Sequence, residues 1–382
     1  DNTPITITYG DNFTLPVPTI LTGDKFIGWG NASGELVTDE NGNSLKPSEF
    51  KTNIELHAVY YVPVTTPNQL LNLCTAEAGD ERLTRTYVLQ NNIDFTGLAN
   101  ESIYNFTGVF DGNGFDIIGL EKPLFGSVGR SDVTCTDDIE VKNVNLVNFS
   151  GESFVNQVLG CETFTIDSVT IESFVKDESN YCETYGLIKT IGNLTNFYCP
   201  STFNMQNCHI NDEFVTIESG LINYLNYYKN VNIDHCSVKA NTKRSAFISS
   251  DTYSSSNWRT NFLYKNQKYL VKKEYSESLN IDIYYSSSVT ISYCSNYGNS
   301  NSLIETSAGQ QYYSNSVTFP PIGIDSDDYN FRNTANHFVS ILNCINYGDI
   351  AESLIINTLK IDSFRKSAII SGEPSSSGYI SY

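Results

Sequence analysis

The residues with most chemistry in them are nine cysteines, four histidines and an excess of carboxylates, 43 Asp and Glu against 23 Lys and Arg. A structural zinc site needs paired Cys or His at short spacing. No Cys-x-x-Cys occurs, and His57, His209, His235 and His337 stand apart from the thiols, so that chemistry is excluded. Carbohydrate chemistry needs other groups: two closely placed carboxylates for hydrolysis, or acidic calcium ligands beside a basic residue for elimination. Asp137-Asp138 and Asp327-Asp328 are the paired aspartates, and neither falls on a strand slot of the repeat described below. Asp325, Asp327, Asp328 and Asn330 form a proline-flanked loop that offers oxygen ligands to calcium or is simply solvated; the full EF-hand pattern is missing. His-Glu-x-x-His is also missing. The expectation is no catalytic residue, no metal and no cofactor.

The cysteines have another use. Four of them close a common pattern of two alternating apolar residues, a polar corner and Cys: Phe203, Met205 and Cys208; Val231, Ile233 and Cys236; Val289, Ile291 and Cys294; Val339, Ile341 and Cys344. Upstream, Ile139, Val141 and Val144 carry the template with Val in the slot, and Val169, Ile171 and Phe174 carry it with Phe. The slots from Val144 onward are 30, 34, 28, 58 and 50 residues apart, which describes repeats of about thirty residues with two enlarged by insertions. A second strand follows each slot: Gly186-Leu187-Ile188, Gly220-Leu221-Ile222, Ala246-Phe247-Ile248, Ser302-Leu303-Ile304, Ser353-Leu354-Ile355 and Ala368-Ile369-Ile370.

One such repeat cannot bury its apolar side alone, whereas stacking repeats at ~4.8 Å pairs every backbone group with the layers above and below. The sequence therefore predicts an all-β chain, largely a right-handed parallel β-helix solenoid. Cys208, Cys236, Cys294 and Cys344 form an inward structural ladder of small apolar sulfurs. Asn143, Asn207 and Asn343, one residue earlier, sit at corners where Asn tolerates unusual backbone angles. Cys135 with Cys161, and Cys182 with Cys199, are spaced so that loop disulfides are sterically open, but spacing does not pair them.

Only 17% of residues are charged, so the Asn, Ser, Thr and Tyr content must solvate the surface. The formal charge of −20 opposes nucleic acid and anionic lipid. Lys265, Lys268, Lys272 and Lys273, with Glu274 and Glu277 beside them, read as a solvated hairpin. It lies within an insertion near 257–285 whose aromatic residues are a contact surface or a cover for the flank. No run of 18 apolar residues is present, so no membrane insertion is expected. Asp1 in place of Met reads as a trimmed, mature secreted chain.

Two resemblances cover most of the sequence. Ile5-Thr6-Ile7-Thr8-Tyr9-Gly10, Leu15-Pro16-Val17-Pro18, Phe26-Ile27-Gly28-Trp29 and Ile54 to Tyr60 make residues 1–61 similar to the Listeria-Bacteroides repeat, or internalin B-repeat, which implies a small β-grasp-like N-terminal domain. Thr66 to Leu71 reads as a capped short helix. With Tyr87 to Phe95, Phe106 to Phe115, Leu124-Phe125-Gly126 and the Asn-Tyr-Gly corners at 296–298 and 346–348, the remainder resembles β-helical surface proteins with GLUG-type motifs. The expected organisation is residues 1–61 as the N-terminal domain, 62–126 as capping helix and first layers, and 127–382 as the main stack.

The resemblance implies a secreted or cell-surface location and a non-enzymatic structural role. One version is a subunit that self-associates head to tail through Gly378 to Tyr382 into filaments. The alternatives are an adhesin holding a glycan or a surface protein, and a β-helix polysaccharide lyase or hydrolase. Asn12, Asn31, Asn100, Asn105, Asn148 and Asn193 are N-glycosylation candidates, at about the frequency chance gives in so Asn-rich a chain.

Overall fold

The computed structural model describes residues 5–19, 23–32, 35–130, 137–192, 200–225, 230–251, 284–306, 310–312, 334–351, 355–357 and 368–370. The predicted 257–285 insertion up to residue 283, the lysine run, the acidic loop at 325–330, Cys135, Cys199, Asn193 and residues 378–382 lie outside the described residues. The described chain is mostly β with predominantly parallel pairing.

Near the N-terminus, β1 (Lys25–Gly30) pairs antiparallel with β2 (His57–Val64). Its register is irregular at Gly28, which sits at φ 150° where a Cβ would lie 2.2 Å from the Thr38 carbonyl oxygen, so only glycine lets the two segments close. Phe26 is buried against Trp29 and Tyr60. Farther along, Val62–Val64 of β2 pair in parallel with β3 (Thr86–Leu89), so the boundary expected at residue 61 falls inside a strand. Between them runs α1 (Pro67–Leu71); Gln69 Oε1 accepts from the Thr66 amide at 3.0 Å, and Leu70 packs into the core.

From β3 onward, the repeated strands lie in parallel register on their equivalents one repeat later, and Gln310–Tyr312 adds an antiparallel pairing at Thr334–Asn336. Tyr87 faces Phe110, Phe110 faces Val141, Val141 faces Ile166, and the row continues through Met205, Ile233, Ile291 and Ile341. Strict alternation cannot produce the Val231, Ile233, Cys236, Val238 spacing, because period two would send residue 235 inward. The extra residue is absorbed by a left-handed corner. Asn143, Ser168, Asn207, His235, Tyr293 and Asn343 all take φ between 52° and 55°, and each resets the alternation so that the next residue turns into the core.

Two sequence assignments need correction. Val144 pairs with Val169, and Val169 precedes His209's partner Thr170, so Val169 holds the slot and Phe174 does not. The true spacings there are 25 and 39 residues. Phe174 instead bridges to Phe149, farther round the repeat. Val-x-Ile-x-x-Phe imitates the template five residues out of phase, and the αL residue Ser168 is what fixes the real phase.

The second correction concerns Ala368-Ile369-Ile370. Ile188, Ile222, Ile248, Ile304 and Ile355 do stack in one six-stranded parallel sheet, which Val155 also joins. Ala368–Ile370 pairs instead with Val339 to Ile341 and extends the other sheet. A small residue followed by two apolar ones suits either strand, so the triplet does not tell them apart. A third sheet, Tyr181–Cys182, Thr216–Ile217 and Asn241–Thr242, joins the two.

One contiguous apolar cluster runs from Val64 to Ile341. Toward its N-terminal end Phe125 has Phe106, Phe110 and Phe154 at centroid distances of 5.1, 5.6 and 5.6 Å.

Candidate functional site

The thiol column is built from the αL corners. Cys208, Cys236 and Cys294 follow those corners and are buried, while Cys344 is half-buried. The Cys208 amide donates to Cys236 Sγ at 3.4 Å, and the Cys236 amide to Cys294 Sγ at 3.4 Å. Each sulfur in turn donates to the carbonyl two residues back, Gln206, Asp234, Ser292 or Leu342. Burial, then the neighbouring Cys208 thiol, hold Cys236 well above the usual thiol range. Hydrogen bonding within the column raises Cys294 through Cys236 and Cys344 through Cys294. Outside it, burial and then Glu101 push Cys74 up to about 11. Such thiols are poor thiolates and hence poor nucleophiles or metal ligands. We expect a water-soluble disulfide reagent to leave Cys208, Cys236 and Cys294 untouched in native protein and to label all three after denaturation. Rapid native labelling at Cys236, located by peptide mass, would show that the column does not serve packing.

The Asn-Tyr-Gly corners divide their work by residue. Asn296 is fully buried, and its Nδ2 donates to the Gly298 carbonyl and to Asn346 Oδ1, both at 2.8 Å. The glycine lies under backbone: a Cβ on Gly298 would meet the Ala240 oxygen at 1.9 Å. The tyrosines point outward, and Tyr297 stacks on Tyr347 at 4.8 Å with rings 10° apart. Tyr293, four residues before Tyr297, stacks on His235 of the preceding layer at 4.9 Å and 15°. Sequence reasoning found the corners but missed both aromatic pairs, since stacking needs the layer register.

Several charged side chains engage one another. Lys176 meets Asp212 at 2.7 Å, Lys142 meets Glu140 at 2.6 Å, and Arg85 of the stack meets Asp24 of the N-terminal region at 3.1 Å. The densest group is Tyr181, Glu218 and Lys243. The phenol donates to Glu218 at 2.6 Å, Lys243 donates to the same oxygen at 2.8 Å, and its Nζ lies 3.6 Å from the Tyr181 ring centroid. Burial first, then the Glu218 carboxylate, push Tyr181 up to about 12. Burial works to raise Glu218, yet hydrogen bonds from Lys243 and Tyr181 outweigh it and leave this carboxylate below its ordinary range. A tyrosine serving as base for sugar elimination needs a shift in the opposite direction.

Asp138 is the exposed first residue of the strand Asp138–Val147, ahead of its inward residues Ile139, Val141 and Val144. Among the described residues no group of three His, Cys, Asp or Glu side chains is arranged to hold a metal. Of the sequons, Asn12 and Asn148 are exposed, and Asn31 and Asn105 are half-buried. Asn100 is not available as an acceptor in the folded chain. It is 2% exposed; its Nδ2 donates to the Lys122 carbonyl, and its Oδ1 accepts from the Glu121 and Lys122 amides. This side chain ties two layers together, which a sequon pattern does not reveal. Among the described residues no helix is long and apolar enough to cross a membrane. No family model, curated protein or solved structure matches the chain.

Proposed function

We propose that the chain is a non-enzymatic structural module of a secreted or cell-surface protein, a right-handed parallel β-helix acting as a stiff spacer behind an internalin B-repeat-like, β-grasp-like N-terminal domain, with a GLUG-like repeat region. The observation that carries this reading is the single apolar cluster from Val64 to Ile341, laid down in parallel register layer by layer. Such stacking gives a quasi-one-dimensional body whose stiffness comes from nearest-neighbour layers. Thr163, Thr202 and Asn230 follow one another in the same register, partly exposed, and keep that face hydrated.

Head-to-tail filament growth by strand addition is hindered at the N-terminal end, because β1 covers the His57–Tyr61 part of β2 next to the first layer. The expected species is an elongated monomer. Light scattering and negative-stain images test this, together with reducing-end and unsaturated-product assays on polysaccharides. Rods without turnover support the spacer reading; enzyme-dependent product release overturns it, and filaments would restore the head-to-tail version. A second reading, a glycan-binding adhesin, is favoured by one observation, the exposed aromatic pairs at His235 with Tyr293 and Tyr297 with Tyr347.

A further inference from the structure

We propose that the flank bearing His235, Tyr293, Tyr297 and Tyr347 is a binding platform for an extended, neutral, β-linked polysaccharide; this rests on the adhesin reading and assigns it a site. The four rings occupy two columns: His235 and Tyr293 stand on the left-handed corners of successive layers, and Tyr297 and Tyr347 stand four residues past such corners, at Tyr293 and Asn343. Within each column the centroids lie 4.8 and 4.9 Å apart with nearly parallel planes. Carbon atoms in contact need only about 3.5–4.0 Å, so the rings are offset and each keeps part of its face open. Tyr293, Tyr297 and Tyr347 are indeed 55%, 48% and 63% exposed, unusual for three neighbouring aromatic residues of a well-packed chain. Between the columns lie Ser237, Ser295 and the exposed Ile345, stacked in register, so the strip offers hydroxyl and apolar contacts side by side. Amphipathic sugar rings present C–H faces to aromatic surfaces and hydroxyls to polar ones, and a straight β-linked chain advances by about one ring per layer.

The backbone gives a second, independent reason. Six equivalent corners take φ between 52° and 55°, and four of them use Asn or Ser. Asn tolerates that conformation best, whereas a ring-bearing residue is strained in it. Tyr293 and His235 hold rings at just these two corners. A fold needing only a corner would be served better by Asn, so the rings point to a surface use, in keeping with the tendency of strained backbone to gather at ligand sites. The platform is also fixed before any ligand arrives: the Tyr293 amide donates to the Leu342 carbonyl at 3.0 Å, Tyr297 to Val238 at 2.8 Å, and Tyr347 to Asn296 at 2.7 Å. Charge selects the sugar class. Asp234 borders His235 at 2.7 Å, Asp349 follows Tyr347 by two residues, and the chain carries −20, all unfavourable to uronate or sulfated polymers.

Affinity electrophoresis of the whole chain through gels containing hydroxyethylcellulose, β-1,3-glucan, xylan or galactomannan, with polygalacturonate as the anionic arm, tests the proposal. Retardation is expected in at least one neutral β-linked gel and none in polygalacturonate. Tyr293→Asn and Tyr347→Ser should each weaken retardation about tenfold, the loss expected for one aromatic contact. Tyr293→Asn should leave the melting temperature unchanged or higher, which separates lost binding from lost fold. Undiminished retardation in both variants would place the glycan elsewhere and overturn this site while leaving the adhesin reading standing. No retardation in any gel would remove both. Strongest binding to polygalacturonate, or a wild-type dimer that dissociates on Tyr347→Ser, would equally overturn it, the latter by showing that the face serves a second copy of the chain.

Discussion

Gly220→Ala is expected to destabilise the chain by about 3 kcal/mol, the upper end for overpacking, or to prevent folding altogether. A Cβ at this position would sit 1.7 Å from the Ala246 carbonyl oxygen and 2.5 Å from its carbon. These are backbone atoms and cannot rotate away. The Gly220 amide donates to Ser245 at 3.1 Å and the Leu221 amide to Ala246 at 3.0 Å, so opening the layers enough for a methyl group strains the ladder on both sides. Gly186 lies against Gly220 in the same way, which spreads the disturbance over three layers. Ala246→Gly is the control: it removes a tolerated methyl and should cost only about 0.5–1 kcal/mol through backbone entropy. Urea titration followed by circular dichroism reads both. An unchanged Gly220→Ala midpoint would mean the layers do not approach this closely.

Phe125→Ala is expected to cost about 3–5 kcal/mol, the range for emptying a buried aromatic site. Phe125 is fully buried and touches three other phenylalanines, so its removal leaves a void bounded by rigid rings that collapse poorly. It also bridges in parallel to Ile103 on one side and Val155 on the other, where the first layers join the six-stranded sheet. Phe214 supplies the comparison. It is 71% exposed, with only Lys176 over its ring at 5.9 Å, and Phe214→Ala should change stability by less than about 0.5 kcal/mol. Equal losses in the two variants would refute the placement of Phe125 at the heart of the stack.

Much of this organisation is legible in the residues alone, for a physical reason. The thiol slot and its two preceding apolar residues recur because each must fill the same space in successive layers, and Asn143, Asn207 and Asn343 announce a left-handed corner by type. Ser168, His235 and Tyr293 occupy the same corner without announcing it, so the layer containing Val169 is read five residues late. The third sheet escapes because Tyr181–Cys182, Thr216–Ile217 and Asn241–Thr242 are two residues long, too short to establish a period. Asn296 and Asn346 escape for a different reason: an asparagine normally reads as surface, and only the neighbouring layer shows that the Asn296 side chain donates to Asn346. The aromatic platform combines both difficulties, since its members are four residues apart within a layer and 50 or 58 residues apart between layers.

β2 has a mechanical meaning beyond pairing. Because one strand pairs with β1 through His57–Tyr61 and with β3 through Val62–Val64, the N-terminal region and the repeats share a member rather than a joint. Twist applied at Trp29 passes through main-chain hydrogen bonds into Tyr87 and onward, with no swivel to dissipate it. The N-terminal region is therefore held at a fixed bearing to the repeats, and a graft that exchanges it must keep His57 to Val64 whole to preserve that aim.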